Sequence, residues 1–119
     1  MTQLHSKNVL IVEDEPFIAL DLKFSVEAHG GTVVGVANGL DDAMKMAKAL
    51  EIDVALLDYN LDPYDSLPVA EALRARSIPF IFYTGRGDLS GLKAKWPDVS
   101  VLAKPAQTKL ILKSLADAA

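Results

Sequence analysis

The chain has 119 residues, half of them hydrophobic and 24% charged, the balance of an ordinary globular domain with one core. It holds no cysteine, which excludes disulfides and thiolate metal sites. The net charge of −4 speaks against a nucleic-acid surface, because such a surface needs a basic stripe.

Residues 1–7 read as a polar start with no apolar signal core, and no apolar run approaches the length of a membrane span. The default expectation is a cytoplasmic protein with no membrane partner. The first strand is read at residues 8–12, Asn-Val-Leu-Ile-Val. Glu13-Asp14-Glu15 follows, and Pro16 opens a helix to about His29. Phe17, Leu20, Phe24 and Ala28 form one helical stripe, and Ile18, Leu22 and Val26 form a second beside it. The second stripe is read as packing, against a neighbouring helix, rather than as a docking face. Gly30-Gly31 ends the helix, and His29 falls at its C-terminus, where positive charge is favourable.

The second strand is read at residues 32–37, and Asn38 is the candidate N-cap of a helix over 40–50. Asp41 and Lys45 are spaced for a surface ion pair on that helix. The third strand, Val54 to Asp58, is four apolar residues running into a carboxylate. A run of this kind fits a strand buried on both faces. Ligands bind at the carboxyl end of such strands, so Asp58 is either a satisfied loop carboxylate or the centre of a site. A loop with Asp62-Pro63 follows, then Ser66 as N-cap of a helix to about Arg76. The fourth strand is read at 78–83, a short weak helix at 88–95, the fifth strand at 99–103 and the last helix at 108–117. Arg74 and Arg76 are expected to be solvated. Leu110, Ile111 and Leu112 cannot all face inward on one helix, so one of them is left for a dimer or partner surface.

Five strands alternating with five helices imply one domain over 1–119, with a parallel sheet covered by helices on both faces. Glu13, Asp14, Asp58, Thr84 and Lys104 then meet at the carboxyl edge of that sheet. Carboxylates gathered this closely raise one another's pKa unless a cation intervenes. A hard divalent cation such as magnesium fits, since it takes one or two carboxylates, waters and phosphate oxygens. Lys104 and Thr84 are suited to a phosphate or a phosphorylated side chain. As single residues, Glu13 and Asp14 are equally ordinary charges at a helix N-terminus, and Lys104 an ordinary surface lysine.

The set Val12-Glu13-Asp14-Glu15, Leu57-Asp58-Tyr59-Asn60-Leu61, Tyr83-Thr84-Gly85 and Lys104-Pro105 resembles the receiver domain of bacterial two-component response regulators, in order and over essentially the whole chain. The resemblance implies a three-layer (βα)5 flavodoxin-like sandwich with strand order 2-1-3-4-5. It implies that Asp58 is the phosphoacceptor, served by a histidine kinase or a histidine phosphotransfer protein. It implies a Mg2+ site made by Asp14, Asp58 and the backbone carbonyl of Asn60, with Glu13 acting through water. It implies that Thr84 engages the phosphoryl group, that Lys104 pairs with Asp58 or its phosphate, and that the Lys104-Pro105 peptide is cis. Ile18, just after the acidic loop, is the expected partner contact.

Three positions depart from the family pattern. Val101 stands where the family usually has an aromatic switch residue, so the signal is expected to pass through loop and helix rearrangement around Thr84-Gly85-Arg86-Gly87-Asp88. The run Phe80 to Gly85 is similar to a receiver subgroup with a Thr-Gly-Tyr motif and an atypical switch, although Arg86 replaces the tyrosine. Ala106, after the Lys-Pro pair, leaves a packing site small.

The expected function is that of a phosphorelay receiver with an unassigned downstream protein target, either stand-alone or part of a longer protein. It is not a classical enzyme and catalyses only its own phosphorylation and dephosphorylation. The competing class is a Mg2+-dependent phosphohydrolase with an aspartyl nucleophile. Against it, Asn60 stands where a second acid/base aspartate would be, and the chain has no cap over a small substrate. A flavin-binding module on the same fold would want a glycine- and hydroxyl-rich phosphate loop after the first strand, where Glu13-Asp14-Glu15 repels phosphate.

Overall fold

Three apolar runs of the sequence become the central strands of one sheet: β1 (Asn8–Val12), β3 (Val54–Leu57) and β6 (Phe80–Thr84). Their residues are almost all buried, because helices cover both faces and leave no solvated side to alternate toward. The computed structural model describes residues 4–85, 87 and 89–119. Arg86 and Asp88, in the loop expected to rearrange, lie outside the described residues, as does the very start of the chain.

The edges of the sheet are β2 (Thr32–Ala37) and β7 (Val101–Ala103). All pairings are parallel, and the order is β2-β1-β3-β6-β7. With the small hairpin described below set aside, this is the flavodoxin-like order 2-1-3-4-5. One face carries α2 (Leu40–Ala49), α3 (Leu67–Ala75) and α4 (Leu89–Lys95), which pack over Leu10, Leu57, Phe80 and Phe82. The other carries α1 (Pro16–Ala28) and α5 (Thr108–Ala118), packed over Ile11, Leu56, Ile81 and Tyr83.

Several local expectations change. The loop after Asp58 contains a two-stranded antiparallel hairpin, β4 (Asn60–Leu61) with β5 (Tyr64–Asp65), turning at a cis Asp62-Pro63 peptide. Ser66 is the residue before α3, but its hydroxyl caps nothing; Asp65 Oδ1 accepts from the Leu67 N–H instead. Gly39 precedes α2, while the Asn38 side chain donates to the Glu13 carbonyl at 2.9 Å, because the acidic loop lies within its reach. Asp41 and Lys45 form no ion pair, since an exposed pair gains too little to hold two long side chains together. β6 starts at Phe80 rather than Ile78, since Pro79 has no N–H to give to the ladder.

On α1 the two stripes separate. Ala19, Leu22 and Val26 are buried, and Ile18 is half-buried against the same core. Phe17, Leu20 and Phe24 are 87%, 47% and 59% exposed. His29 is the C-cap, and its ring nitrogen Nδ1 bonds the Ser25 carbonyl at 2.8 Å. Gly30 follows at φ 85°, the left-handed conformation that glycine adopts without strain. Leu4, read as part of a polar start, is instead buried against α1 and α5. On α5, Ile111 and Leu112 point inward and Leu110 is exposed.

Arg74 and Arg76 are not merely solvated. Arg74 stacks over the Trp96 ring at 4.5 Å and pairs with Asp98 at 2.7 Å, while Arg76 donates to the Ala47 carbonyl. Trp96 follows the short α4 and meets Phe80 and Phe82 edge-on, at 5.5 and 6.1 Å between ring centres. A seven-residue helix is marginal by itself, so this aromatic anchor holds α4 to the sheet. Trp96→Ala is expected to destabilise the protein by about 3–5 kcal/mol, the range for deleting a large buried aromatic, as a lowered urea midpoint followed by circular dichroism.

Candidate functional site

The site is built by backbone register. Val12 pairs with Leu57 across β1 and β3, so Glu13 and Asp58 emerge side by side. Leu57 pairs with Phe82, and Thr84 with Ala103, which brings Thr84 and Lys104 to the same edge. The hydrogen-bond ladder runs one residue beyond the strands. Glu13 N–H donates to the Ala37 carbonyl, Asp58 N–H to that of Val12, and Lys104 N–H to that of Thr84, at 2.8–3.0 Å. The functional side chains therefore hang from backbone that is still part of the sheet.

Asp58 is buried at the centre. Its Oδ1 accepts from the Thr84 hydroxyl at 3.2 Å and from the Asn60 N–H at 3.1 Å. Its Oδ2 accepts from Lys104 Nζ at 2.7 Å. The same ammonium lies 2.7 Å from Glu13 Oε1, an ion pair rather than a directed hydrogen bond. Glu13 Oε2 accepts from the Glu15 N–H at 3.2 Å, which turns the acidic loop back on itself. Glu13 and Thr84 are fully buried, and Asp14 is half-exposed. Each of Glu13, Asp14 and Asp58 offers a carboxylate oxygen, and the three atoms lie within 4.8 Å of one another. The Lys104-Pro105 peptide is cis.

The electrostatics show a shortage of positive charge. Burial pushes the Glu13 carboxyl up to about 8; the Lys104 ammonium opposes this and the Asp58 carboxylate adds to it. Asp14 is also raised, by burial and then by the Asp58 charge. Burial alone would lower Lys104, but its hydrogen bond to Asp58 and its ion pair with Glu13 outweigh that, and its pKa is raised. One ammonium thus serves three carboxylates. An all-oxygen donor set with excess negative charge is the chemistry of a hard divalent cation.

The site residues expected from the sequence lie where the strand-end argument put them, with two refinements. Glu13 contacts Lys104 directly, a pairing that strand-end reasoning did not include. Ile18 packs into the core, and the exposed apolar side chains nearest the acidic loop belong to the other stripe of α1. Tyr83, which the strand pattern marks only as a strand residue, has a polar contact. Its hydroxyl accepts from the Ala106 N–H at 3.3 Å, and a tyrosine within an apolar strand is the signal that such a partner must exist. Val101 is half-buried on the opposite face, against the core beneath α2, α3 and α4.

Fold and site together define an α/β domain whose sheet edge is suited to a divalent cation and a phosphoryl group. The sequence profile of the response regulator receiver domain matches residues 9–116, and the chain belongs to that family. The chain is 34% identical over 102 residues to the phyllosphere-induced regulator PhyR of Methylorubrum extorquens, covering 83% of this chain and 38% of that protein. It is similar to the solution structure of SdrG from Sphingomonas melonis Fr1, at 41% identity and TM-score 0.79, over 98% of this chain and 97% of the other. It is also similar to the response regulator PhyR from Brucella abortus, at 28% identity and TM-score 0.84, over 98% of this chain and 49% of that one. The chain spans about a third of the length of the curated relatives it matches. Among the described residues, no helix is long and apolar enough to cross a membrane.

The raised Glu13 carboxyl has a consequence for stability. The unfolded side chain loses its proton near 4.5 and the folded one near 8. Between those values the folded state holds the extra proton, so this group's contribution falls as pH rises. Without divalent cation, thermal stability is expected to decline from pH 4.5 toward about 8. With saturating Mg2+ the decline is expected to shrink or reverse, because the cation binds the deprotonated carboxylates. Thermal melts across pH, with and without Mg2+, measure both.

Proposed function

We propose that Asp58 is the phosphoacceptor of this receiver domain, that residues 1–119 act as one such unit, and that a partner's phosphohistidine is the donor. The observation that carries this reading is the position of Asp58. Its two oxygens are held by a hydroxyl and an ammonium, with Glu13 and Asp14 alongside. In the transfer an Asp58 oxygen forms the new P–O bond, the P–N bond to the partner's imidazole breaks, and the imidazole leaves with the electron pair and takes up a proton. Phosphoryl transfer asks the protein mainly for position and for charge on the equatorial oxygens. Lys104 exchanges its bond to Asp58 Oδ2 for a phosphoryl oxygen, and the Thr84 hydroxyl donates to another. Asp14, Asp58 and the Asn60 carbonyl would hold Mg2+, with Glu13 acting through water. When bound, the ion neutralises charge that builds up on the phosphoryl oxygens.

The partner docks against α1, whose Phe17, Leu20 and Phe24 begin two residues after the acidic loop; an exposed apolar stripe of this kind marks a protein contact. The net charge of −4 favours a protein partner over nucleic acid. The reading does not extend to turnover of small phosphate esters. Asn60 occupies the position where a hydrolase would need its second acid.

With Mg2+ and a small acyl phosphate, the wild-type chain is expected to gain one phosphoryl group by intact mass, and Asp58→Asn none. Absence of phosphorylation by both a small donor and a phosphohistidine protein would overturn the assignment. Phe17→Ala combined with Phe24→Ala is expected to slow transfer from a phosphohistidine protein by roughly tenfold or more, the scale of losing apolar anchors. The rate from the small donor should stay unchanged, and comparing the two donors separates docking from chemistry.

A further inference from the structure

We propose that Tyr83 is a positioning residue for phosphoryl transfer, acting through Lys104; the inference rests on Asp58 being the phosphoacceptor. Lys104 reaches the site on a flexible four-carbon stem, and such a side chain has several rotamers to lose. At rest, Asp58 and Glu13 attract its ammonium. During transfer it must leave Asp58 Oδ2 for the phosphoryl group, and a holder other than Asp58 then determines where it goes.

Tyr83 supplies two such restraints. The Lys104 ammonium lies 5.6 Å from the centre of the Tyr83 ring, within the range of a cation–π contact. The Tyr83 hydroxyl accepts the Ala106 N–H at 3.3 Å. Pro105 has no N–H, so Ala106 carries the first backbone donor after Lys104. On the other side, the Lys104 N–H is bonded to the Thr84 carbonyl at 2.8 Å. The Lys104 backbone is thus held from both flanks by two successive residues of β6. The next residue of that strand, Thr84, places its hydroxyl on Asp58. Tyr83 pairs with Leu102 and faces the core beneath α1 and α5, away from Val101, so it is not a relocated copy of the missing aromatic switch. Buried as it is, the ring has little freedom to turn, and this suits a fixed rest for the lysine rather than a moving part.

A buried tyrosine whose hydroxyl merely satisfies a loop N–H would leave catalysis untouched, and a double-mutant cycle distinguishes the two roles. The full chain is phosphorylated with a small acyl phosphate and Mg2+ over a range of donor concentrations, as wild type, Tyr83→Phe, Lys104→Ala and the double variant. Rates are followed by intact mass, and melting curves confirm that each variant is folded. Tyr83→Phe keeps the ring and removes only the hydroxyl. It is expected to lower the maximal rate about three- to tenfold, the effect of one hydrogen bond, with the half-saturating donor concentration unchanged. In the Lys104→Ala background the same change is expected to cost nothing. A Tyr83→Phe protein as fast as wild type overturns the inference alone. So does an equal slowing with and without Lys104. A folded wild type that takes up no phosphoryl group overturns the proposed function and the inference with it.

Discussion

One ammonium between two buried carboxylates organises this molecule. Lys104 Nζ is 2.7 Å from both Asp58 and Glu13, and each acid is buried to the point where an unpaired charge would be costly. Removing one partner from such a cluster leaves the others uncompensated. The cluster also holds more negative charge than one lysine can balance, and this shows in the raised Glu13 and Asp14 carboxyls. A site left short of positive charge is poised to gain it from a cation. On the proposed reading, a phosphoryl group on Asp58 would take over the hydrogen bonds that Lys104 and Thr84 now give to the bare carboxylate.

The sheet is what makes this concentration of charge tolerable. Its three central strands are apolar on both faces, so the polar groups can emerge only at the ends. Parallel pairing then puts the same end of every strand on one edge. The ladder extends into Glu13, Asp58 and Lys104 and removes backbone freedom where the side chains must meet within hydrogen-bond distance. Precision here costs no special loop structure. It follows from register, and a one-residue slip would turn every core side chain to the wrong face.

Away from the site, the two faces of the sheet differ in how they meet solvent. On the α1 side the helix carries apolar residues on more than its buried face and leaves Phe17, Leu20 and Phe24 uncovered, close after the acidic loop. On the α4 side the helix is short, and Trp96 with Arg74 stacked on it provides the hold that the helix lacks. Val101 and Tyr83 divide in the same way. Val101 lies against the core under α4 with no ring to swing, whereas Tyr83 lies under α5 with its ring beneath the Lys104 ammonium.

Periodicity alone was sufficient for the alternation of strands and helices and for the parallel sheet, because burial on both faces writes itself as unbroken apolar runs such as Val54 to Leu57. The carboxylates, hydroxyl and lysine at the strand ends were legible for the same reason, since a strand end is where such a run stops. The strand order came from family resemblance, and the fold agrees with it. Tertiary structure decided what depends on distance rather than spacing. A helical stripe does not say which side meets the sheet, so only packing showed that Ile18 turns in and Phe17 turns out. Caps went to whichever donor or acceptor lay within reach, Asp65 in place of Ser66, while Asn38 was drawn to Glu13. Leu4 joined the core cluster that Val26 of α1 and Leu115 of α5 also belong to. Asp58 could be located from the sequence by itself; that Glu13 shares its lysine, and that Tyr83 lies beneath that lysine, depends on contacts made between strands far apart in the chain.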